Sequence, residues 1–215
     1  MKVLILLLLS FSQVIYAADG SVRFAKGKVY VNGKKVVKGA PLNYQDRIVV
    51  GKKAHAIIAI KPGTIIKLKP KTILIIEKPA RNKKKSFSLY SYILERGDIF
   101  VRAKNTKKNK YQVKTKNAVM GVRGTTFFVS SAKKKKNVWM CVNEGEVEVR
   151  ASEKAKPVIV KAGEGVVVNS DSAPEVKQYA WTKELNWKFS GKLEEIKDAT
   201  NIQNINYDID DFDYD

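Results

Sequence analysis

The sequence predicts an all-β protein, because short apolar runs alternate with turn residues from residue 21 to about residue 168. The runs recur roughly every 8 to 12 residues without helical patterns between them, which is typical of β-sandwiches and β-solenoids. Some runs alternate apolar and polar residues, as in residues 66–69 (IKLK) and 146–149 (EVEV), so one face of those strands is expected to meet solvent. A twisted β-solenoid and a jelly-roll-like stack both satisfy this pattern.

The first part of the chain contains a hairpin and four further predicted strands. Residues 28–37 (KVYVNGKKVV) place Asn32-Gly33 between two strand-like runs, and this pair favours the positive φ angles of a type I′ turn. Turn residues at Gly51, Pro62-Gly63 and Pro70 then separate strands at residues 47–50, 54–60, 64–69 and 72–77. Residues 87–94 (FSLYSYIL) are compatible with a strand or a helix.

The second part continues with predicted strands at residues 98–103, 111–115, 125–130, 137–142, 146–150, 158–160 and 165–168. Residues 118–129 (AVMGVRGTTFFV) put two glycines three positions apart, where the backbone can bend or approach a neighbouring strand. The arginine between them offers five fixed N–H donors. We predict a structural β-corner whose signature residues are Gly121, Arg123, Gly124, Thr125 and Phe127.

The pattern changes after residue 172. Residues 178–199 place Trp181, Leu185, Phe189 and Leu193 at helical spacing, although Trp187 lies off this stripe. We predict that residues 173–199 form a helical segment that caps an open sheet edge or docks on a partner. Residues 200–215 are polar and acidic and are predicted to be disordered.

The N-terminus predicts export from the cytoplasm. Lys2 precedes a Leu-rich run at residues 3–14, and Ala17 is a small residue suited to cleavage, so residues 1–17 are predicted to be a signal peptide. An uncleaved anchor is the alternative, although the run is shorter than the roughly 20 residues of a spanning helix. The β domain at residues 18–172 is therefore expected in the periplasm or outside the cell. The single cysteine, Cys141, cannot form an internal disulfide and is expected to be buried.

The charge of the chain is strongly uneven. The whole chain carries a formal charge of +20, whereas residues 194–215 alone carry −7 and residues 18–193 carry +26. Such a basic region attracts anionic partners over long range, although lysine clusters between strands are also typical of solvated loop tips. The candidate anion-binding loops contain Lys83, Lys84, Lys85, Lys107, Lys108, Lys133, Lys134, Lys135 and Lys136.

The residue types do not suggest an enzyme. The single histidine, His55, lies in a strand-like run without a cysteine or aspartate at an informative spacing. The acidic residues Glu144, Glu146 and Glu148 resemble a solvated ladder rather than an acid–base pair. There is no phosphate-binding loop, nucleophile elbow or zinc-type cluster. We predict a protein without catalytic residues, metal or cofactor.

Six segments, taken in order, follow the patterns of one protein family. The segment at residues 61–76 (KPGTIIKLKPKTILII) is similar to the pattern D-G-S-x-I-x-L-x-P-x-S-x-L, and residues 94–101 (LERGDIFV) to L-x-x-G-x-V. Residues 113–129 (VKTKNAVMGVRGTTFFV) are similar to the central pattern V-x-T-x-x-A-x-x-G-V-R-G-T-x-F-x-V. With the opening segment at residues 20–60 and the closing units at residues 141–149 and 160–168, the chain resembles the FecR domain found in periplasmic parts of bacterial transmembrane regulators.

The resemblance implies a β-solenoid or jelly-roll-like domain at residues 21–170 that binds other proteins. The family's regulators place a sigma-factor-binding domain and a membrane helix before this domain. Because the predicted signal peptide directly precedes it here, we expect a free-standing module without anti-sigma activity. The predicted function is docking to envelope proteins through surface or edge-strand contacts. The alternative is binding of lipopolysaccharide, acidic glycan or nucleic acid by the lysine-rich loops.

Overall fold

A computed structural model describes residues 18–82, 84, 86–131, 137–151, 155–169 and 174–189. Within these residues the chain forms eighteen strands and one short 3₁₀ turn at Ala180–Lys183. The all-β prediction is therefore confirmed. The predicted signal peptide, residues 190–199 of the predicted helical segment and the acidic tail lie outside the described residues.

The first nine strands are β1 (Gly20–Lys26), β2 (Val29–Val31), β3 (Lys34–Lys35), β4 (Pro41–Leu42), β5 (Arg47–Val50), β6 (His55–Ile60), β7 (Thr64–Leu68), β8 (Ile73–Ile76) and β9 (Ala80–Asn82). The remaining strands are β10 (Phe87–Ala103), β11 (Asn109–Lys114), β12 (Val119–Val122), β13 (Thr126–Ser131), β14 (Val138–Glu144), β15 (Glu146–Arg150), β16 (Val158–Lys161), β17 (Gly165–Val168) and β18 (Glu175–Lys177).

The strands form one continuous curled sheet, which we describe as two halves. Half 1 has the order β4–β1–β6–β7–β10–β13–β14–β17–β18, and half 2 has the order β3–β2–β5–β8–β10–β11–β12–β15–β16 with β9 beside the start of β10. The pairings are antiparallel except for β10 with β11, which is parallel. This pattern is that of a curled antiparallel sheet, and it does not confirm a solenoid.

Strand β10 joins the two halves. Its first part pairs with β8, β9 and β11 in half 2, and its part from Gly97 onward pairs with β7 and β13 in half 1. Gly97 has φ +92°, a conformation that glycine adopts readily, and it lies where the strand passes between the halves. Residues 87–94, which the sequence left open between helix and strand, are therefore part of the longest strand.

One hydrophobic core lies between the halves. The inward residues of half 1, such as Ile66, Val101 and Phe127, pack in the same cluster as those of half 2, such as Leu94 and Met120. The Asn32-Gly33 turn connects β2 to β3 with φ angles of +49° and +79°, as the sequence predicts. Asp46 accepts a hydrogen bond from Asn32 Nδ2 at 2.7 Å, which attaches this turn to the strand β5 region.

The segment after β18 differs from the predicted helix. In residues 174–189 the only helical element is the four-residue 3₁₀ turn, and no helix within the described residues has the length and apolarity of a membrane span. Leu185, Trp187 and Phe189 contact the sheet at every second position, which is the period of an extended chain. The position of Trp187 outside the helical stripe was the sequence signal for this conformation.

Candidate functional site

The outer face of half 1 carries a row of residues that crosses six neighbouring strands. The register aligns Ile57 with Lys67, Lys67 with Phe100, Phe100 with Phe128, Phe128 with Cys141 and Cys141 with Gly165. We call this set the cross-strand row. Side chains alternate between the two faces of a strand, so these residues point away from the core that Ile66, Val101 and Phe127 help to form.

Residues 174–189, which we call the strap, lie across the cross-strand row. Leu185 is buried with Phe100, Phe128 and Cys141 in a second hydrophobic cluster that is separate from the main core, and Tyr179, Trp139, Trp187 and Phe189 pack against it. Trp187 meets Phe100 edge to face, with 5.4 Å between ring centroids. A sheet face that would otherwise meet water is thus covered by the chain's own C-terminal segment.

Lys67 binds the main chain of the strap. Its Nζ donates hydrogen bonds to the carbonyl oxygens of Asn186 at 2.6 Å and Lys188 at 2.9 Å, and it lies 4.2 Å from the centre of the Phe100 ring. Only 2% of the residue is exposed. A buried ammonium needs such partners, because an unpaired buried charge is costly.

The expectation that residues 66–69 have one solvent-exposed face is therefore wrong. Lys67 is buried, and Lys69 is only 8% exposed. Lys69 Nζ lies 3.6 Å from Asp98, which also accepts a hydrogen bond from Ser130 Oγ at 2.6 Å. Because the strap covers Lys67, a lysine at a polar position of an alternating strand makes an internal contact instead of meeting solvent. The same alternation is correctly interpreted at residues 146–149, where Glu146 is exposed and the two valines are buried.

Two more contacts fit the strap to this face. Arg102 lies over the Phe189 ring, 4.8 Å from its centre. A Cβ atom at Gly165 would lie 2.9 Å from Tyr179 Cδ2, so glycine at this position allows the tyrosine ring to approach the sheet. Burial raises the pKa of the Cys141 thiol at the centre of the row, which is consistent with its predicted packing role.

His55 lies on the same outer face, at the start of β6. Its burial, and then the positive charges of Lys69, Lys26 and Lys67, lower its pKa from 6.5 to about 4. The lowered pKa keeps the imidazole neutral at neutral and mildly acidic pH. The charged residues that shift its pKa, among those that the structure describes, are all lysines.

Acidification is expected to destabilise the domain through His55. Between about pH 6.5 and pH 4 the unfolded chain binds a proton that the folded chain does not, so the free energy of unfolding falls as pH decreases through this window. Urea unfolding at about pH 7.5 and pH 4.5 should show a smaller loss for His55→Gln than for the natural chain. An imidazole that titrates near pH 6.5 by NMR in the folded protein would contradict this expectation.

The predicted signature residues lie together at the corner between β12 and β13. Gly121 belongs to β12, the Arg123 side chain is exposed, Thr125 is buried, and Phe127 lies in the main core. Gly124 has φ +64°, and a Cβ atom there would lie 2.4 Å from Asn105 Cβ. Gly124 thus lies in close contact with its neighbour, whereas a Cβ atom at Gly121 would be 3.8 Å from Glu148, an ordinary contact distance. The structural roles of the signature residues stay predictions.

Two of the predicted lysine loops converge at one end of half 2. Ser88 N donates to the Lys108 carbonyl at 2.9 Å, which brings the loop with Lys107 and Lys108 beside the turn that contains Lys84. Lys110 adds its Nζ 4.5 Å from the centre of the Phe87 ring, and Arg81 is exposed on the adjoining strand β9. We call Arg81, Lys84, Lys107, Lys108 and Lys110 the basic end. The other predicted lysines lie outside the described residues, namely Lys83, Lys85, Lys133, Lys134, Lys135 and Lys136.

The cross-strand row and its cover are the features that sequence reasoning missed. Nothing in the run around Lys67 distinguishes a lysine that faces water from one that binds carbonyl oxygens contributed by residues more than a hundred positions later. The one available signal was the alternation of Leu185, Trp187 and Phe189. The described residues contain no cluster of three or more histidine, cysteine or acidic side chains suited to a metal ion.

Comparison with known proteins finds a family match to part of the chain and a shared fold. The model of the FecR protein family matches residues 46–148. Two crystal structures of a candidate anti-sigma factor from Parabacteroides distasonis ATCC 8503, at 1.65 Å and 2.50 Å resolution, share the fold with a TM-score of 0.52 and 21% sequence identity. The similarity covers 63% of this chain and 61% of theirs, so this chain spans less than two thirds of those proteins. No curated protein sequence matches this one.

Proposed function

We propose that this chain is a FecR-domain protein, since the family model matches residues 46–148, and that it is a non-catalytic interaction module of the bacterial cell envelope. The proposed role is docking to envelope proteins in signalling or scaffolding after export to the periplasm. The family match is the observation that carries this proposal. The named structural relatives, described as candidate anti-sigma factors, favour a place in signalling.

The outer edge of half 2 supports docking by strand addition. Strand β16 pairs with β15, and within the described residues no strand pairs with its other side. Ile159 on this strand is 44% exposed and offers an apolar contact beside the unpaired edge. An edge strand of this kind binds an extended partner segment through main-chain hydrogen bonds.

A pull-down from envelope extract tests the proposal. Residues 18–215 serve as bait, with washes at low and then high salt, and Ile159→Lys is compared with Val37→Lys, which changes another exposed apolar residue away from β16. We expect a defined protein to stay bound through high salt to the natural bait and the Val37 variant, and to be lost with the Ile159 variant. Recovery of no protein after the high-salt wash would overturn the docking proposal.

The basic end favours a second candidate function, binding of an anionic polymer. The backbone segments that carry these five basic residues are neighbours there, and a concentration of positive charge attracts phosphate or carboxylate groups. The charge of −7 on residues 194–215 supports an interaction of this acidic segment with the basic end, in competition with an anionic polymer.

Charge reversal separates this candidate from protein docking. Lys107→Glu with Lys108→Glu is expected to reduce heparin binding at low salt by about tenfold, whereas the matched pair Lys34→Glu with Lys35→Glu on the exposed strand β3 should change it less. Deletion of residues 194–215 should increase binding. Equal loss in both charge-reversed pairs would indicate nonspecific attraction by net charge, and no effect of the deletion would exclude competition by the tail.

A further inference from the structure

The strap is bound by features of the sheet that recognise an extended polypeptide in general. Lys67 bonds to two carbonyl oxygens, those of residues 186 and 188, and main-chain carbonyls are present in every sequence. The apolar part of the row accepts side chains at alternate positions of the strap, here Leu185, Trp187 and Phe189. Main-chain bonds combined with sites for alternate side chains are the means by which sheets bind extended peptides.

Beyond β18, whose Val176 packs against the main core, the attachment of the strap is separate from that core. Its only strand pairing in the described residues is that of the three-residue β18 with β17, and the hydrogen bonds of Thr182 to Tyr179 are internal to the strap. The side chains under it form a cluster distinct from the one between the two halves of the sheet. A peripheral segment with few backbone bonds to the rest of a domain opens at lower free energy than the core.

The charges on this face favour a different occupant over the strap itself. Lys67 and Arg102 point toward the covering segment, and the nearby Lys69 is paired with Asp98. Around its apolar side chains the strap itself carries two lysines, Lys183 and Lys188, and one acidic residue, Glu184. An extended segment with acidic residues at the corresponding positions would have the complementary charge.

From these contacts we infer that the outer face of half 1 is a peptide-binding surface that the strap occupies within the same chain. The partner is an extended segment of another protein with two aromatic side chains two residues apart and acidic neighbours. Such a segment replaces Trp187 and Phe189 on the cross-strand row and presents its carbonyl oxygens to Lys67. The inference adds a second surface to the proposed docking function, and it does not depend on the β16 edge.

Cys141 provides a site-specific readout. It is the only cysteine of the chain and lies fully buried beneath the strap, so a thiol reagent reaches it only when the strap or the whole domain opens. In residues 18–215 carrying Trp187→Ala and Phe189→Ala, we expect labelling at least about tenfold faster than in the natural chain. Phe189→Ala alone, which removes less of the cluster, should give a smaller increase and serves if the double variant does not fold.

Protection of Cys141 then tests peptide binding. The probe is a synthetic peptide of residues 183–189 with Lys183→Glu and Lys188→Glu, and the control peptide has Trp187→Ala and Phe189→Ala in addition. The probe should slow labelling of the strap variant saturably, and the control peptide should not. Adding Lys67→Met to the strap variant should weaken protection at least about tenfold, whereas Lys110→Met at the basic end should not weaken it.

Three results would overturn the inference. Labelling of the strap variants no faster than in the natural chain would show that the strap does not control access to the row. Faster labelling without protection by the probe would show that the opened face does not bind such peptides. Equal protection of Cys141 with and without Lys67 would show that Lys67 does not bind the main chain of the peptide. None of these depends on the pull-down with Ile159→Lys, so failure of the docking function and failure of this surface are distinguishable.

Discussion

Replacing Gly97 by alanine is expected to destabilise the folded domain by about 3 kcal/mol or more. Gly97 has φ +92°, and a Cβ atom there would lie 2.5 Å from Thr72 Cα and 2.6 Å from Thr72 Oγ1. Thr72 has no room to retreat, because it is fully buried and its hydroxyl exchanges hydrogen bonds with the Asp98 main chain at 3.0 and 3.1 Å. Alanine therefore adds both backbone strain and an overlap with fixed atoms.

Gly163→Ala is the matched control for this prediction. Gly163 has a similar φ of +83°, but a Cβ atom there would meet nothing within 4 Å. Its substitution should cost only the backbone strain, about 1 kcal/mol. Urea unfolding followed by circular dichroism gives both free energies. If the two variants lose the same stability, the contact with Thr72 is not what requires glycine in the middle of β10.

The local patterns of the sequence were sufficient for most strands but not for their arrangement. Alternation and turn residues correctly predict the strand that contains His55 and the Asn32-Gly33 hairpin, because each depends on neighbours in the chain. The passage of β10 from one half to the other depends on a contact between Gly97 and Thr72. Such a contact joins residues 25 positions apart and leaves no periodic trace in either segment.

The candidate site was less predictable because its parts are distant in sequence. Lys67 is 119 and 121 positions away in the chain from the residues whose carbonyl oxygens it binds. The strand that contains Lys67 has the alternating pattern of any half-exposed strand. Leu185 and Phe189 fit a helical stripe, from which Trp187 departs, because a four-residue spacing also occurs between side chains on one face of an extended segment. The contacts of this segment with the outer face of half 1 favour the extended conformation.

Substitutions of Phe127 and Phe128 distinguish most directly the contributions of the two clusters to stability, because these residues are consecutive and point to opposite faces of β13. Phe127 belongs to the core between the halves and Phe128 to the cluster beneath the strap. Phe127→Ala is expected to cost about 3–5 kcal/mol, since it leaves a cavity in a core with fixed walls on both sides. Phe128→Ala should cost less, about 1–2 kcal/mol, because the strap can settle into the space that is left.

Under native conditions we expect Cys141 to be labelled faster in Phe128→Ala than in Phe127→Ala, although Phe127→Ala loses more stability. Phe128→Ala weakens the cover over Cys141, so labelling is expected to accelerate through local opening that denaturant hardly affects. Phe127→Ala leaves the cover in place, so any acceleration should follow global unfolding and rise steeply with urea. If labelling of both variants depends on urea equally, the strap and the main core open as one unit. The outer cluster would then belong to the cooperative fold rather than form a separately opening surface.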